Sequence, residues 1–165
     1  MPDYALIDPI TGEQLILPED KFIQNLMPSI ILLRGSEHEH IGIITHRDLV
    51  LFAQWCAGAT LARLEGEPDL RVSHALGLVD KWLEDEQSVT SKELEATAQA
   101  TWNIIMDSEC ANLCSARAAW VVIHAVWTGT WADYAGGILA ENARVAGIAY
   151  KDQVAWLVEH LRSGK

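Results

Sequence analysis

The run CANLCSARAAWVVIHAVW, from Cys110 to Trp127, is apolar almost all round when it is wound at about 3.6 residues per turn. A helix on the surface of a globular protein keeps one polar face, so a helix that lacks one has to be surrounded by other elements. This run therefore predicts a central helix, which Ser108 is placed to cap. The rest of the chain has to supply the elements that cover it.

Five other segments after residue 44 carry apolar residues at the three- and four-residue spacing of a helix. Capping residues mark three starts: Thr45 with Asp48, Asp69 alone, and Thr90 with Glu93 in a capping box. With the central run they predict a mainly α fold over residues 45–165, an up-and-down bundle of about five to six helices. The expected helices span residues 48–65, 70 to the acidic run at 84–86, 90–106 and 108–127, followed by WADYAGGILAENARVAG and YKDQVAWLVEHLR.

One expected helix contains the pair Gly136-Gly137. A glycine inside a helix costs about 1 kcal/mol relative to alanine. The pair therefore predicts a close approach of another helix, because a side chain at these positions would hold the two backbones apart.

The first 44 residues differ from the rest, since they hold four of the five prolines and several short β-branched runs. YALID and EQLIL, joined by PITG, predict a hairpin, because proline and glycine punctuate a turn between two apolar runs. SIILLRG and HIGIIT predict two more strands, with a short helix begun by PEDKFIQNL as the alternative for the first. We expect residues 1–44 to form a small mixed or β extension to the bundle domain.

The chain has 12 basic and 23 acidic residues, and its formal net charge of −11 opposes binding to nucleic acid and to anionic membrane surfaces. Between residues 65 and 95, nine acidic residues stand against three basic ones. Such a stretch is either a solvated face or a surface that attracts a cationic partner. The candidate partner-binding residues are Glu65, Glu67, Asp69, Glu84, Asp85 and Glu86.

The sequence also bears on the cellular compartment. It has no uncharged apolar run of about 18 residues, since Arg117 interrupts the longest candidate, and the N-terminus MPDYALIDPITGEQ lacks the basic and apolar segments of a secretory signal. Cys110 and Cys114 are four residues apart on one expected helix, and Cys56 stands alone. We interpret all three as small buried hydrophobic residues and expect a cytoplasmic protein.

Two short motifs raise the question of catalysis or metal binding. THRDL, from Thr45, resembles the start of a protein kinase catalytic loop, but position 53 is alanine where a kinase needs asparagine. Asp48 is therefore expected to stabilise a helix start. SEHEH, at residues 36–40, is expected to be a solvated turn, because zinc sites need three or four ligands from separate rigid positions. With no nucleophile elbow or P-loop either, we expect no enzyme activity, no metal and no cofactor.

The seven tryptophans fall about one per expected helix, which favours packing within the bundle. His124 has no carboxylate near it in sequence and is expected to be a core histidine. A ligand cavity lined by tryptophans around His124 stays open as the alternative reading.

Four stretches in order, HRDLVLFAQWCAGATLARLE, EPDLRVSHALGLVDKWL, SARAAWVVIHAVWTGTWADYAGGILA and QVAWLVEHL, resemble a bacterial immunity-protein family of polymorphic toxin systems, called immunity protein five-like. The resemblance covers about residues 45–165. It departs from the family pattern at Trp127 and Trp131, where family members tend to have histidines. It implies a non-enzymatic inhibitor of a cognate toxin and structural roles for the shared residues. Those are His46, Arg47, Trp55, Arg71, Trp82, Arg117, Tyr134 and Trp156.

The leading hypothesis is a protein that binds and neutralises a cognate toxin domain by occlusion, with a basic toxin suited to the acidic surface. The alternative is a small-ligand-binding or regulatory helical bundle in a phage–host defence system. A third hypothesis, an enzyme, requires His46, Arg47, Arg117 and His124 to converge in one cleft. A homo-oligomer is compatible with each of them.

Overall fold

A four-stranded antiparallel sheet and seven helices make up the part of the chain described by the computed structural model, residues 3–34, 39–64, 67–107 and 113–163. The expected cap Ser108, together with Glu65, Cys110 and most of the SEHEH turn, lies outside these residues. The strands are β1 (Asp3–Ile7), β2 (Gln14–Pro18), β3 (Ser29–Arg34) and β4 (Glu39–Ile44). The helices are α1 (Glu19–Gln24), α2 (His46–Ala62), α3 (Leu70–Glu84), α4 (Ser91–Met106), α5 (Leu113–Thr128), α6 (Ala135–Val145) and α7 (Tyr150–Arg162). The fold is mainly helical, as predicted.

The strands lie in the order β2-β1-β3-β4, and each neighbouring pair is antiparallel. The predicted hairpin is confirmed, with Tyr4 opposite Leu17. Its turn is held by Asp8, whose Oδ1 accepts from the backbone N–H of Ile10 at 2.8 Å, and by Gly12 at φ 74°. SIILLRG and HIGIIT both form strands, and PEDKFIQNL forms a separate short helix before the first of them.

The sheet is more than the small N-terminal extension that the sequence suggested. Tyr4, Leu6 and Ile31 of the sheet belong to the same buried hydrophobic cluster as Leu157 and Leu161 of α7. Helices α1 and α7 both contact the strands. The expectation was wrong because the hydrophobic face of a sheet needs a covering layer, and here the last helix of the chain provides part of it.

Helix α5 contacts α2, α3, α4 and α6, as its apolar character predicts, but it is not covered all round. Arg117 and Trp127 are exposed, and Trp120 and His124 are only partly buried. The start signals around α5 are confirmed. Thr45 and Asp48 form a capping box at α2, Thr90 and Glu93 form one at α4, and Asp69 caps α3. Helix α2 ends at Ala62, before the expected residue 65.

The close approach predicted at Gly136 is confirmed. A Cβ atom there would lie 3.1 Å from both Gln24 O and Leu26 N, so another backbone occupies the space of a side chain. The approaching segment is the end of α1 and the residues that follow it. Trp131 also binds this segment, because its indole Nε1–H donates a hydrogen bond to Leu26 O at 2.9 Å.

Candidate functional site

A partly exposed row of aromatic rings runs across α4, α5 and the start of α6. The rings of Trp120, His124 and Trp127 recur at four- and three-residue spacing on one side of α5, with Trp102 and Tyr134 beside them. Ring centroids are 5.4 Å apart for Trp102–Trp120, 5.0 Å for Trp120–His124 and 6.2 Å for His124–Trp127. Tyr134 stacks on Trp120 at 6.4 Å. We call these five residues the aromatic face.

The aromatic face is open to solvent over much of its area. Trp102, Trp127 and Tyr134 are 40%, 38% and 51% exposed. Large exposed aromatic side chains in contact with one another are a common feature of interaction surfaces, so the aromatic face is the candidate site on this part of the chain. Most other residues of α5 are buried, so Trp120, His124 and Trp127 form the strip of α5 that the other helices leave uncovered.

A groove of about 440 Å³ adjoins the aromatic face between α4, α5 and α6. Trp102 and Trp120 form its aromatic walls, and Ile105 and Ile138 add aliphatic surface. Its polar lining consists of Arg117, Glu141 and Asn142. We call this space the α4–α6 groove.

Arg117 is the available cation of the groove. Its side chain is exposed and makes no hydrogen bond or ion pair with any residue that the structure describes. Glu141, by contrast, accepts from Arg144 Nη2 at 2.5 Å and from the Tyr150 hydroxyl at 2.7 Å. The hydrogen bond from Arg144 lowers the pKa of Glu141 most, the hydrogen bond from Tyr150 lowers it further, and the pKa falls to about 2. The Glu141 carboxylate is therefore already engaged, and Arg117 remains free to bind an anion.

The tryptophan-lined cavity considered around His124 is not where the sequence suggested. The space beside His124 measures only about 10 Å³, which is too small for a ligand. The ligand-sized space beside the tryptophans of α5 is the α4–α6 groove, one to two turns earlier on that helix. A larger groove of about 580 Å³ lies elsewhere, between the sheet and α7. The family resemblance implies structural roles for Arg117 and Tyr134, whereas Arg117 lines the groove and Tyr134 belongs to the aromatic face. The signal in the sequence was the four- and three-residue spacing of Trp120, His124 and Trp127, which places their rings on one side of a helix.

A second cluster joins α2 to α7. Asp48 is only 2% exposed, and its Oδ1 lies 3.0 Å from Nε2 of His160. The His160 ring stacks on Trp156 with centroids 5.1 Å apart and planes 4° apart, and Trp156 stacks on Trp55 at 5.1 Å. The family-like residues Trp55 and Trp156 therefore pack two helices together. Sequence reasoning found the capping role of Asp48 and missed His160.

The acidic candidates do not form one compact patch. Glu67 and Asp69 precede α3, whereas Glu84, Asp85 and Glu86 lie at its other end, about 20 Å away along a 15-residue helix. Asp85 accepts from the backbone N–H of Gln87 at 3.0 Å and so caps the short 3₁₀ helix that follows. Several of these acids thus serve local structure.

The remaining family-like residues lie at helix ends and inside the bundle. Arg47 donates to Leu83 O at 2.6 Å and pairs with Glu86 at 3.6 Å, which ties the start of α2 to the end of α3. Arg71 pairs with Asp69 at 2.8 Å. Trp82 packs against the core, and His46 is half-buried.

The four residues of the enzyme hypothesis do not form one hydrogen-bonded group. No hydrogen bond joins any two of His46, Arg47, Arg117 and His124, all of which the structure describes. Within the described ranges, no three metal-ligating side chains come together, and no helix has the length and apolar character needed to cross a membrane. Comparisons of the chain with protein-family models, with curated proteins and with solved structures found no match.

Proposed function

We propose that this protein is a non-catalytic, immunity-type inhibitor that binds and occludes a toxin domain, with the aromatic face as its contact surface. The observation that carries the proposal is the exposed aromatic face beside the unpaired Arg117. Tryptophan, tyrosine and arginine are the residues most enriched among the hot spots of protein interfaces. The resemblance of residues 45–165 to an immunity-protein family supports the same function.

The net charge of −11 favours a basic toxin domain. Complementary charge speeds association, while the aromatic side chains would supply most of the binding energy once they are desolvated. Glu67 and Glu84 make no hydrogen bond or ion pair with any described residue, so they are available for such steering.

Co-expression with the toxin encoded beside the gene tests this function. The wild-type chain should restore growth and co-purify with the toxin. The double variant Trp127→Ala/Tyr134→Ala removes two exposed rings and should lose both effects. Ile10→Ala and Leu70→Ala, which truncate residues that are highly exposed elsewhere, serve as controls and should behave as wild type. Failure of the wild-type chain to bind the toxin would refute the proposal.

A small-ligand-binding bundle is the second candidate, and the α4–α6 groove favours it. Its volume of about 440 Å³ is that of a small-molecule site, and such sites combine apolar walls with a few polar groups. Native mass spectrometry of the protein purified from its own host would test it, with a retained small molecule as the expected result.

A further inference from the structure

We propose that the α4–α6 groove binds a small aromatic monocarboxylic acid that carries an N–H donor, with its ring against Trp102 and Trp120 and its carboxylate on Arg117. This inference rests on the second candidate function and names the class of ligand. It is independent of the toxin.

The walls of the groove favour a flat, unsaturated ligand. The Trp102 and Trp120 rings are 5.4 Å apart and tilted by 47°, so they form a concave aromatic corner. Ile105 and Ile138 extend the apolar lining. An aromatic ring placed in this corner meets one indole by its face and the other closer to its edge, and both arrangements are favourable between aromatic rings.

Arg117 determines the charge of the ligand. Its guanidinium group has no partner among the described residues, and the other charged group of the groove, Glu141, is held by Arg144 and Tyr150. A guanidinium group matches the two oxygens of a carboxylate in a bidentate hydrogen-bonded pair. The net charge of −11 disfavours multiply charged anions such as nucleotides, so a single carboxylate is the better match.

Asn142 determines which hydrogen-bonding group the ligand needs. This side chain is only 6% exposed, and its Nδ2 donates to Ile138 O at 2.8 Å. Its Oδ1 is left without a partner among the described residues, although the side chain lines the groove. An amide oxygen in the wall of a groove accepts a hydrogen bond from a ligand donor that replaces water, and an indole or anilide N–H supplies such a donor.

Three probes separate the two polar contacts. Indole-3-acetate has the ring, the carboxylate and the N–H, indole-3-acetamide lacks the charge, and 1-naphthaleneacetate lacks the N–H. Binding is measured by calorimetry and by the shifts of the tryptophan indole N–H signals in nitrogen-15 NMR spectra. Indole-3-acetate should bind saturably, and each of the other two should bind about tenfold more weakly, since each loses one hydrogen-bonded contact.

Variants of the protein assign the contacts. Arg117→Gln should weaken indole-3-acetate about tenfold and leave indole-3-acetamide unchanged, because only the charged contact is removed. Arg63→Gln is the matched control: Arg63 is an exposed arginine of the α2 end that does not line the groove, and its substitution should change neither affinity. Circular dichroism establishes that both variants fold.

The outcomes distinguish failure of the proposed ligand class from failure of the small-ligand-binding function. Equal binding of acid and amide, or an unchanged affinity in Arg117→Gln, would overturn the proposed ligand class while the groove remained a ligand site. Absence of saturable binding by all three probes at about 5 mM, where even millimolar affinity is measurable, would overturn the proposed ligand class. The small-ligand function itself is refuted if native mass spectrometry also finds no retained molecule.

Discussion

Nε2 of His160 lies 3.0 Å from Oδ1 of Asp48, although the two residues are 112 positions apart in sequence, and this contact joins α7 to α2. Oδ2 of the same carboxylate accepts from the Thr45 backbone N–H at 2.9 Å and from the Thr45 hydroxyl at 2.8 Å. Asp48 thus starts α2 and anchors α7 with one side chain. The motif that resembles a kinase catalytic loop has an architectural role in this fold.

Replacing Asp48 with alanine should lower the free energy of unfolding by about 2–3 kcal/mol, because the change removes one half of the capping box of α2 and the hydrogen-bond partner of the half-buried His160. Chemical denaturation followed by circular dichroism measures the loss. Glu93→Ala is the matched control, since Glu93 completes the same capping motif at α4 without a histidine contact. An equal loss in both variants would show that the His160 contact adds nothing.

Gly136→Ala and Gly77→Ala should have opposite effects, although both replace a glycine inside a helix. At Gly136 the new methyl group would lie 3.1 Å from backbone atoms of residues 24 and 26, and the strain should cost about 1–3 kcal/mol. At Gly77 nothing lies within 4 Å, so alanine should stabilise the protein by up to about 1 kcal/mol. Thermal denaturation compares the two, and a stabilised Gly136→Ala would contradict the close approach.

Glu141 makes part of the stability depend on pH in the acid range. Arg144 and Tyr150 hold its pKa at about 2 in the folded chain, below the ordinary value of 4.5. The ionised carboxylate therefore contributes stability that is full above about pH 4.5 and is lost as the pH falls through about 2. In Glu141→Gln the unfolding free energy should fall less steeply between pH 5 and pH 2. Glu84→Gln is the control at an exposed position, and an unchanged slope in Glu141→Gln would contradict the prediction.

Cys56 should resist alkylation in the folded protein. Its side chain is fully buried in α2, and burial raises the pKa of its thiol, which removes both access and the reactive thiolate. Cys114 is only partly buried and should react faster with iodoacetamide. Peptide mapping by mass spectrometry after a short exposure compares the two residues. Equal modification of Cys56 and Cys114 under native conditions would show that α2 opens readily.

Much of the secondary structure could be predicted from the sequence because its signals are local. The capping boxes at Thr45 and Thr90 act over three residues, and the hairpin turn is closed by Asp8 and Gly12 within a few residues. The apolar character of α5 predicted its contacts with four other helices, but not the strip of the helix that those contacts leave exposed. The requirement for a close approach at Gly136 was also visible, but the approaching backbone was not.

Only the tertiary structure decided which distant residues meet. Nothing in the sequence pairs His160 with Asp48, seats Gly136 on the end of α1, or places α7 against the sheet. The same holds for the candidate site: the resemblance implied structural roles for Arg117 and Tyr134, but Arg117 lines the α4–α6 groove and Tyr134 belongs to the exposed aromatic face. The physical reason is range: helix caps and turns are set by hydrogen bonds between near neighbours in the chain, whereas a groove exists only where packed helices leave a gap.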